Sequence, residues 1–196
     1  MAVLKIEKLG SSVLRRKADE IEEIDPELRE LIADMFDTMY EAEGVGLAGP
    51  QIGVSRRVVV IDVNNPDHPR MALINPRIVD SDSRTAKEEE GCLSIPGVSA
   101  FVKRPEEVEV EAIDESGRPV RVRAGGLLGR CLQHEIDHLN GVLFIDYLSP
   151  LKRSMVLKKY RQMQAEEEAE AREKSRDRSR EGSKEGGQNS STRRGR

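Results

Sequence analysis

Between Asp25 and Ala42 the apolar residues Leu28, Leu31, Ile32, Met35, Met39 and Tyr40 recur at helical spacing. Asp25-Pro26-Glu27 supplies a cap and a first-turn proline ahead of them, and Gly44 and Gly46 supply the stop. The pattern predicts a helix over 26–42. Arg57 to Val63 is a β-branched run with no polar alternation, which predicts a strand buried on both faces. Met71 to Val79 reads as a second strand, interrupted near Asn75-Pro76. Val108, Val110 and Ala112 alternate with Glu107, Glu109 and Glu111, and Val120 and Val122 alternate with Arg121 and Arg123. With Asp114-Glu115-Ser116-Gly117 between them, these runs predict a hairpin whose wet face pairs acidic with basic rows. Gly126 to Asn140 carries Leu127, Leu128, Cys131, Leu132 and Ile136 and is apolar nearly all round, the mark of a helix inside the fold. Ser149-Pro150 opens a last helix with Leu151, Met155, Val156 and Tyr160. The class is α+β: antiparallel or mixed strands around a central helix, with an N-terminal and a C-terminal helix. There is no internal repeat.

Composition changes this picture mainly at the C-terminus. The chain has 196 residues, 37% hydrophobic and 35% charged, but from Ala165 onward there is no Leu, Ile, Val, Phe or Tyr to bury. A body over 1–150, a helix over 151–171 and a disordered basic tail over 172–196 are predicted. Lys152, Arg153, Lys158, Lys159 and Arg161 give Leu151–Gln164 a charge of +5; the next seven residues carry −4 and the last stretch +5. Subtracted from the total of −4, these leave −10 on Met1–Pro150. An acidic body with a basic arm suggests a polyanionic partner for the arm alone. No signal peptide, transit region or bilayer-length apolar run is present, so a soluble protein working where it is made is expected, with no membrane or DNA partner. With only Cys92 and Cys131 in the chain, a conspicuously placed cysteine is more often a ligand or nucleophile than half of a disulfide.

The central helix contains His134-Glu135-Ile136-Asp137-His138. Residues four apart are separated by about 400° of turn, so both imidazoles leave one face and can bite one metal ion. Glu135, about 100° further round than His134, can stand beside the ion and take a proton. Asp137 is placed to accept the free ring N–H of a ligand histidine. A catalytic site needs a third protein ligand, and Cys92 in Glu89-Glu90-Gly91-Cys92-Leu93-Ser94 is the best candidate. Cys131, three positions before His134, reads as filler, and His68, in a turn-rich loop, as no ligand. Two neutral imidazoles and one thiolate would leave a divalent ion one net positive charge, enough to acidify a water toward neutrality. Gly44-Val45-Gly46-Leu47-Ala48-Gly49-Pro50-Gln51 lacks the Lys-Ser/Thr of a phosphate cradle and suits close approach of a small substrate, with Gln51 as donor.

These three segments together resemble the peptide deformylases, which remove the formyl group from the starting methionine of new bacterial polypeptides. The signatures lie, in order, at Gly44–Gln51, at Glu90–Ser94 and at Gln133–Gly141, and the likeness runs from the N-terminus to about Leu151. The resemblance implies a catalytic domain over 1–150, Cys92, His134 and His138 as metal ligands, and Glu135 as general base. It implies an oxyanion held by Gln51 and the Leu93 N–H, and substrate backbone bound at Gly46. The groove for the methionine side chain would include Val45, Leu127 and Cys131, with Glu90 beside it. One divalent ion per chain is implied, most often Fe(2+), with Zn(2+), Ni(2+) or Co(2+) also accepted. The expected partners are a nascent N-formylmethionyl peptide and, through the five basic residues of the arm, the ribosome near its tunnel exit, in the bacterial cytoplasm. Two positions depart from the pattern: Gly49 stands where alanine is usual, which should loosen the loop carrying Gln51, and Ser99 stands where some relatives place an arginine that holds the peptide.

Two other readings compete. A zinc endopeptidase also carries His-Glu-x-x-His, but its third ligand lies downstream and is not a cysteine. A metal-stabilised RNA-binding domain would need a fourth protein ligand, and no spare Cys or His is well placed to supply one.

Overall fold

The computed structural model describes residues 2–185. In chain order the elements are α1 (Pro26–Glu41), β1 (Gly46–Ala48), β2 (Val58–Ile61), β3 (Met71–Ser81), β4 (Thr85–Gly91), β5 (Ser99–Pro105), β6 (Glu107–Ile113), β7 (Pro119–Gly125), α2 (Gly126–Leu139) and α3 (Pro150–Glu185). Five strands form one antiparallel sheet in the order β1-β2-β3-β6-β7, and β4 and β5 form a separate two-stranded ribbon.

The sheet lies between two helices, which explains the unbroken apolar run of β2. Val59 and Ile61 face α2 and pack with Leu132, Ile136 and Leu139; Val58 and Val60 face α1 and pack with Leu28, Ile32, Met35 and Met39. Each such fully buried side chain contributes about 1.5–3 kcal/mol. The wet face of the β6–β7 hairpin pairs Glu109 with Arg123 and Glu111 with Arg121 across the register, as predicted. Both arginines are exposed, and such a surface pair is worth at most about 1 kcal/mol, so the sandwiched core and not the charge rows holds the sheet.

Local signals act where the sequence places them. Asp25 accepts from the Leu28 N–H at 2.7 Å to start α1, and the Gly44 N–H returns to the Met39 carbonyl at 2.9 Å as α1 ends. The interruption expected at Asn75-Pro76 is a register shift in β3 between Ile74 and Arg77. There Asn75 takes a φ of 52°, and its side chain bonds both the N–H and the carbonyl of Ile21. At the far end of α2, the buried Arg57 guanidinium donates to the carbonyls of Leu139 and Pro76 and to Asn140 Oδ1, closing the helix terminus with positive charge.

Pro150–Val156 belong to the compact body, and α3 from Leu157 onward is a unit of its own. The helix passes the expected end at residue 171, and residues 172–185, predicted disordered, are helical. Straight-chain Glu, Lys and Arg favour helix without a core, and Arg172 pairs with Glu168 one turn back at 3.6 Å. The remaining predicted tail, 186–196, lies outside the described residues. Among the described residues no helix is long and apolar enough to cross a membrane.

Candidate metal centre and active site

Helix α2 presents both histidine rings on one face, with centroids 4.9 Å apart and planes at 76°. The ribbon delivers the sulfur, since Cys92 follows directly on β4. One potential ligand atom from each of Cys92, His134 and His138 lies within 4.8 Å of the others, and Cys92 Sγ stands 3.2 Å from His138 Nε2. His134 Nδ1 is taken by Glu90 Oε2 at 3.2 Å, which leaves Nε2 as its free donor. One thiolate and two imidazoles suit a borderline divalent metal, and the three groups fit such an ion. His68 lies outside this cluster.

The two cysteines are set apart by charge. Burial raises the Cys92 thiol, but His138 and His134 outweigh it and bring it well below its ordinary value. Cys131 is pushed up by burial, with Glu135 and Glu90 adding to the effect, so it stays a thiol and rests 3.5 Å from the Val45 carbonyl. Glu135 is buried beside the cluster, and burial raises its carboxyl. Its Oε2 has no hydrogen-bond partner, a costly state for a buried oxygen unless water or substrate meets it.

β1 closes over Glu135 so tightly that a Cβ on Gly46 would lie 2.5 Å from Glu135 Oε1 and 2.6 Å from Cys131 Sγ. Gln51 is held by its own loop: its Oε1 accepts from the Ala48 N–H at 2.8 Å. That turns Nε2 toward Ser94 Oγ at 3.3 Å and Cys92 Sγ at 3.6 Å. Leu93 follows Cys92 in the same loop, and its carbonyl accepts from Lys8 Nζ. Val45, Cys92 and Leu93 line a cleft of about 520 Å³ together with Lys8, Ile95 and Pro96. Leu127 is half exposed, whereas Cys131 is buried.

Three placements differ from expectation. Glu90 does not face a groove: strand alternation turns it inward, where its side chain is 4% exposed behind His134. Burial raises its carboxyl, but His134 and Arg104 more than reverse this and set it at about 2. Asp137 does not support a histidine; it accepts from Arg104 Nη1 at 2.7 Å and from the Tyr147 hydroxyl at 3.1 Å. Gly49 does not loosen its loop, because a methyl there would lie 2.6 Å from the Arg56 carbonyl and 2.9 Å from that of Val54. Ser99 donates from Oγ to Glu89 across the ribbon. Sequence reasoning missed Arg104 and Arg130, both of which donate to Glu90. The one available signal was Arg130 at i−4 to His134, a charge on the same helix face as the histidine pair.

Residues 3–154 match the family described as Polypeptide deformylase. The peptide deformylase of Thermodesulfovibrio yellowstonii is 47% identical over 163 residues, covering 82% of this chain and 98% of that protein. That of Brucella suis is 46% identical over 168 residues, covering 85% and 96%. Among solved structures, a peptide deformylase from Legionella pneumophila superposes with a TM-score of 0.81 at 49% identity, over 85% of this chain and 98% of that one. One from Synechococcus elongatus in complex with actinonin gives 0.76 at 48% identity, over 80% and 86%.

Proposed function

The chain belongs to the polypeptide deformylase family, and we propose that Cys92, His134 and His138 hold its metal while Glu135 is the general base. Its reaction is the metal-dependent hydrolysis of the formyl group from N-formylmethionine at the start of nascent peptides, with release of formate. The observation that carries the residue assignment is the convergence of one sulfur and two imidazoles beside a buried carboxylate oxygen that has no partner. We assign residues 1–150 to catalysis.

When bound, the divalent ion supplies Lewis acidity, acidifying a water and polarising the formyl carbonyl. Glu135, its carboxyl raised by burial, takes a proton as the water oxygen adds to the formyl carbon. The Gln51 amide, fixed by Ala48, and the Leu93 N–H are the donors proposed for the oxyanion that develops. Glu135 then returns its proton to the methionine nitrogen as the C–N bond breaks, leaving formate and a free amine. Gly46 offers the β1 edge to the substrate backbone, and Val45, Leu127 and Cys131 offer apolar surface to the methionine side chain. The Cys131 thiol, uncharged, suits that role. Glu90 is withdrawn from substrate binding by its burial behind His134.

Fe(2+) is the proposed native ion, with Zn(2+), Ni(2+) or Co(2+) able to replace it, because imidazole and thiolate accept all four. The bacterial cytoplasm is the proposed compartment. The ribosome near its tunnel exit is the proposed partner of Lys152, Arg153, Lys158, Lys159 and Arg161, on the strength of their charge.

The test is formate release from N-formyl-Met-Ala, beside an unformylated peptide, using protein purified without oxygen and analysed for metal. Wild type is expected to cleave the first substrate only. Glu135→Ala should keep its metal and lose about 10²–10⁴-fold in kcat. Ordinary turnover in that variant would remove Glu135 from the mechanism.

A further inference from the structure

The ribbon that carries Cys92 shares no strand pairing with the five-stranded sheet, yet its sulfur must meet two imidazoles on α2 to within a few tenths of an ångström. Side chains bridge the gap. Arg104, on β5, is only 3% exposed. Its Nε and Nη2 fork onto the two oxygens of Glu90 at 2.6 and 2.9 Å, while Nη1 reaches Asp137 on α2 at 2.7 Å. Its Cζ lies 4.7 Å over the Tyr147 ring, which in turn donates to Asp137. From α2, one turn before His134, Arg130 donates to Glu90 at 2.6 Å and to the ribbon carbonyls of Val102 and Ala86. Glu90 passes the restraint to both sides of the metal centre: its Oε2 meets His134 Nδ1, and its backbone lies two residues before Cys92.

We propose that Arg104 is a positioning residue for the metal centre, its single guanidinium tying the carboxylate behind His134 to the carboxylate beside His138 and so locking the sulfur-bearing ribbon onto the helix that bears the imidazoles. The proposal rests on the ligand assignment above. Only a planar fork can serve both carboxylates at once; an ammonium is a point charge that satisfies one. Two buried arginines against Glu90 and Asp137 also balance in charge, which is what permits them in the interior.

Wild type, Arg104→Gln, Arg104→Lys and Arg84→Gln are loaded with Co(2+) without oxygen, and release to a chelator is followed by the visible cobalt absorption. Arg84 is the control, an exposed arginine beside β4 that pairs with Asp82 and Glu106 at the surface. Arg104→Gln should release cobalt about 10–100-fold faster, the usual effect of removing a group that orients metal ligands. Arg104→Lys should fall between, and Arg84→Gln should match wild type. With cobalt kept saturating, KM for N-formyl-Met-Ala should stay within about twofold, since Arg104 does not face the cleft. Release from Arg104→Gln at the wild-type rate, with circular dichroism showing a folded protein, overturns the proposal. If Arg104→Gln does not fold, Asp137→Asn, which weakens the Arg104 Nη1 end of the bridge without touching His134, is read by the same two outcomes. A wild type that binds no stoichiometric cobalt would instead sink the ligand assignment, so the two failures are distinguishable.

Discussion

At Gly46 a single methyl group would test how β1 closes over Glu135. A Cβ there would sit 2.5 Å from Glu135 Oε1 and 2.6 Å from Cys131 Sγ, both on a buried face of α2, so relieving the contact moves the proposed general base. Gly46→Ala should therefore lower kcat by about two orders of magnitude, in line with misplacing a catalytic group by about 1 Å, while metal content stays at wild type. Steady-state kinetics with metal analysis checks this, and unchanged kcat would mean that the β1 edge gives way instead. The pairing of the two histidines was readable because i and i+4 on a helix must share a face, whatever the tertiary structure, whereas Cys92 came in as the proposed third ligand. The partners of the ligands were not. Glu90 sits in a run of three glutamates, and only the parity of a strand not predicted from sequence decides which of them points inward. Asp137 was misread for a related reason: it lies between His134 and His138, both proposed ligands, but its partner, Arg104, comes from β5.

At the scale of elements, α1, β2, the broken β3, the β6–β7 hairpin and α2 were legible, because each buries apolar residues at its own period. The β4–β5 ribbon was not, because several of its inward positions are charged. Glu90 and Arg104 are buried as partners, which in the sequence looks like a solvated run. Asp146, in the short 3₁₀ turn Phe144–Tyr147 that follows α2, makes an analogous but more exposed junction. It accepts from both terminal nitrogens of Arg15, from Arg153 in the first turn of α3, and from the Leu143 N–H. Burial raises its carboxyl, but Arg15, the Leu143 N–H and Arg153 together hold it below the ordinary value. A folded-state value below the unfolded one stabilises above the unfolded pKa of about 3.9, and that contribution fades as pH falls through the folded value. Asp146→Asn should thus cost about 1 kcal/mol at pH 7 and progressively less as pH falls below the unfolded pKa, read as the gap in urea midpoint between the two proteins. A gap that does not shrink as the pH is lowered would show that shape and not charge holds the junction.

For the molecule as a whole, charge is divided along the chain in a way that catalysis on a short formylated peptide does not require. Met1–Pro150 carries −10 and is expected to be repelled by RNA, whereas Leu151–Gln164 carries +5 with no acid among its residues. A uniformly acidic protein would meet only repulsion from a polyanion such as RNA, whereas the basic stretch supplies a local attraction for the proposed ribosomal partner. Lys158, Lys159 and Arg161 belong to the second unit and supply no atom to the Cys92, His134 and His138 cluster. The triple variant Lys158→Gln, Lys159→Gln, Arg161→Gln should deformylate N-formyl-Met-Ala at the wild-type rate yet co-sediment with ribosomes more weakly. Its logarithmic dependence of affinity on salt should be shallower by roughly one for each phosphate that is no longer neutralised. Equal binding and an equal salt slope in variant and wild type would remove these residues from the ribosome interface, and the acidic Glu166–Glu170 run that follows them would then need no explanation beyond helix propensity.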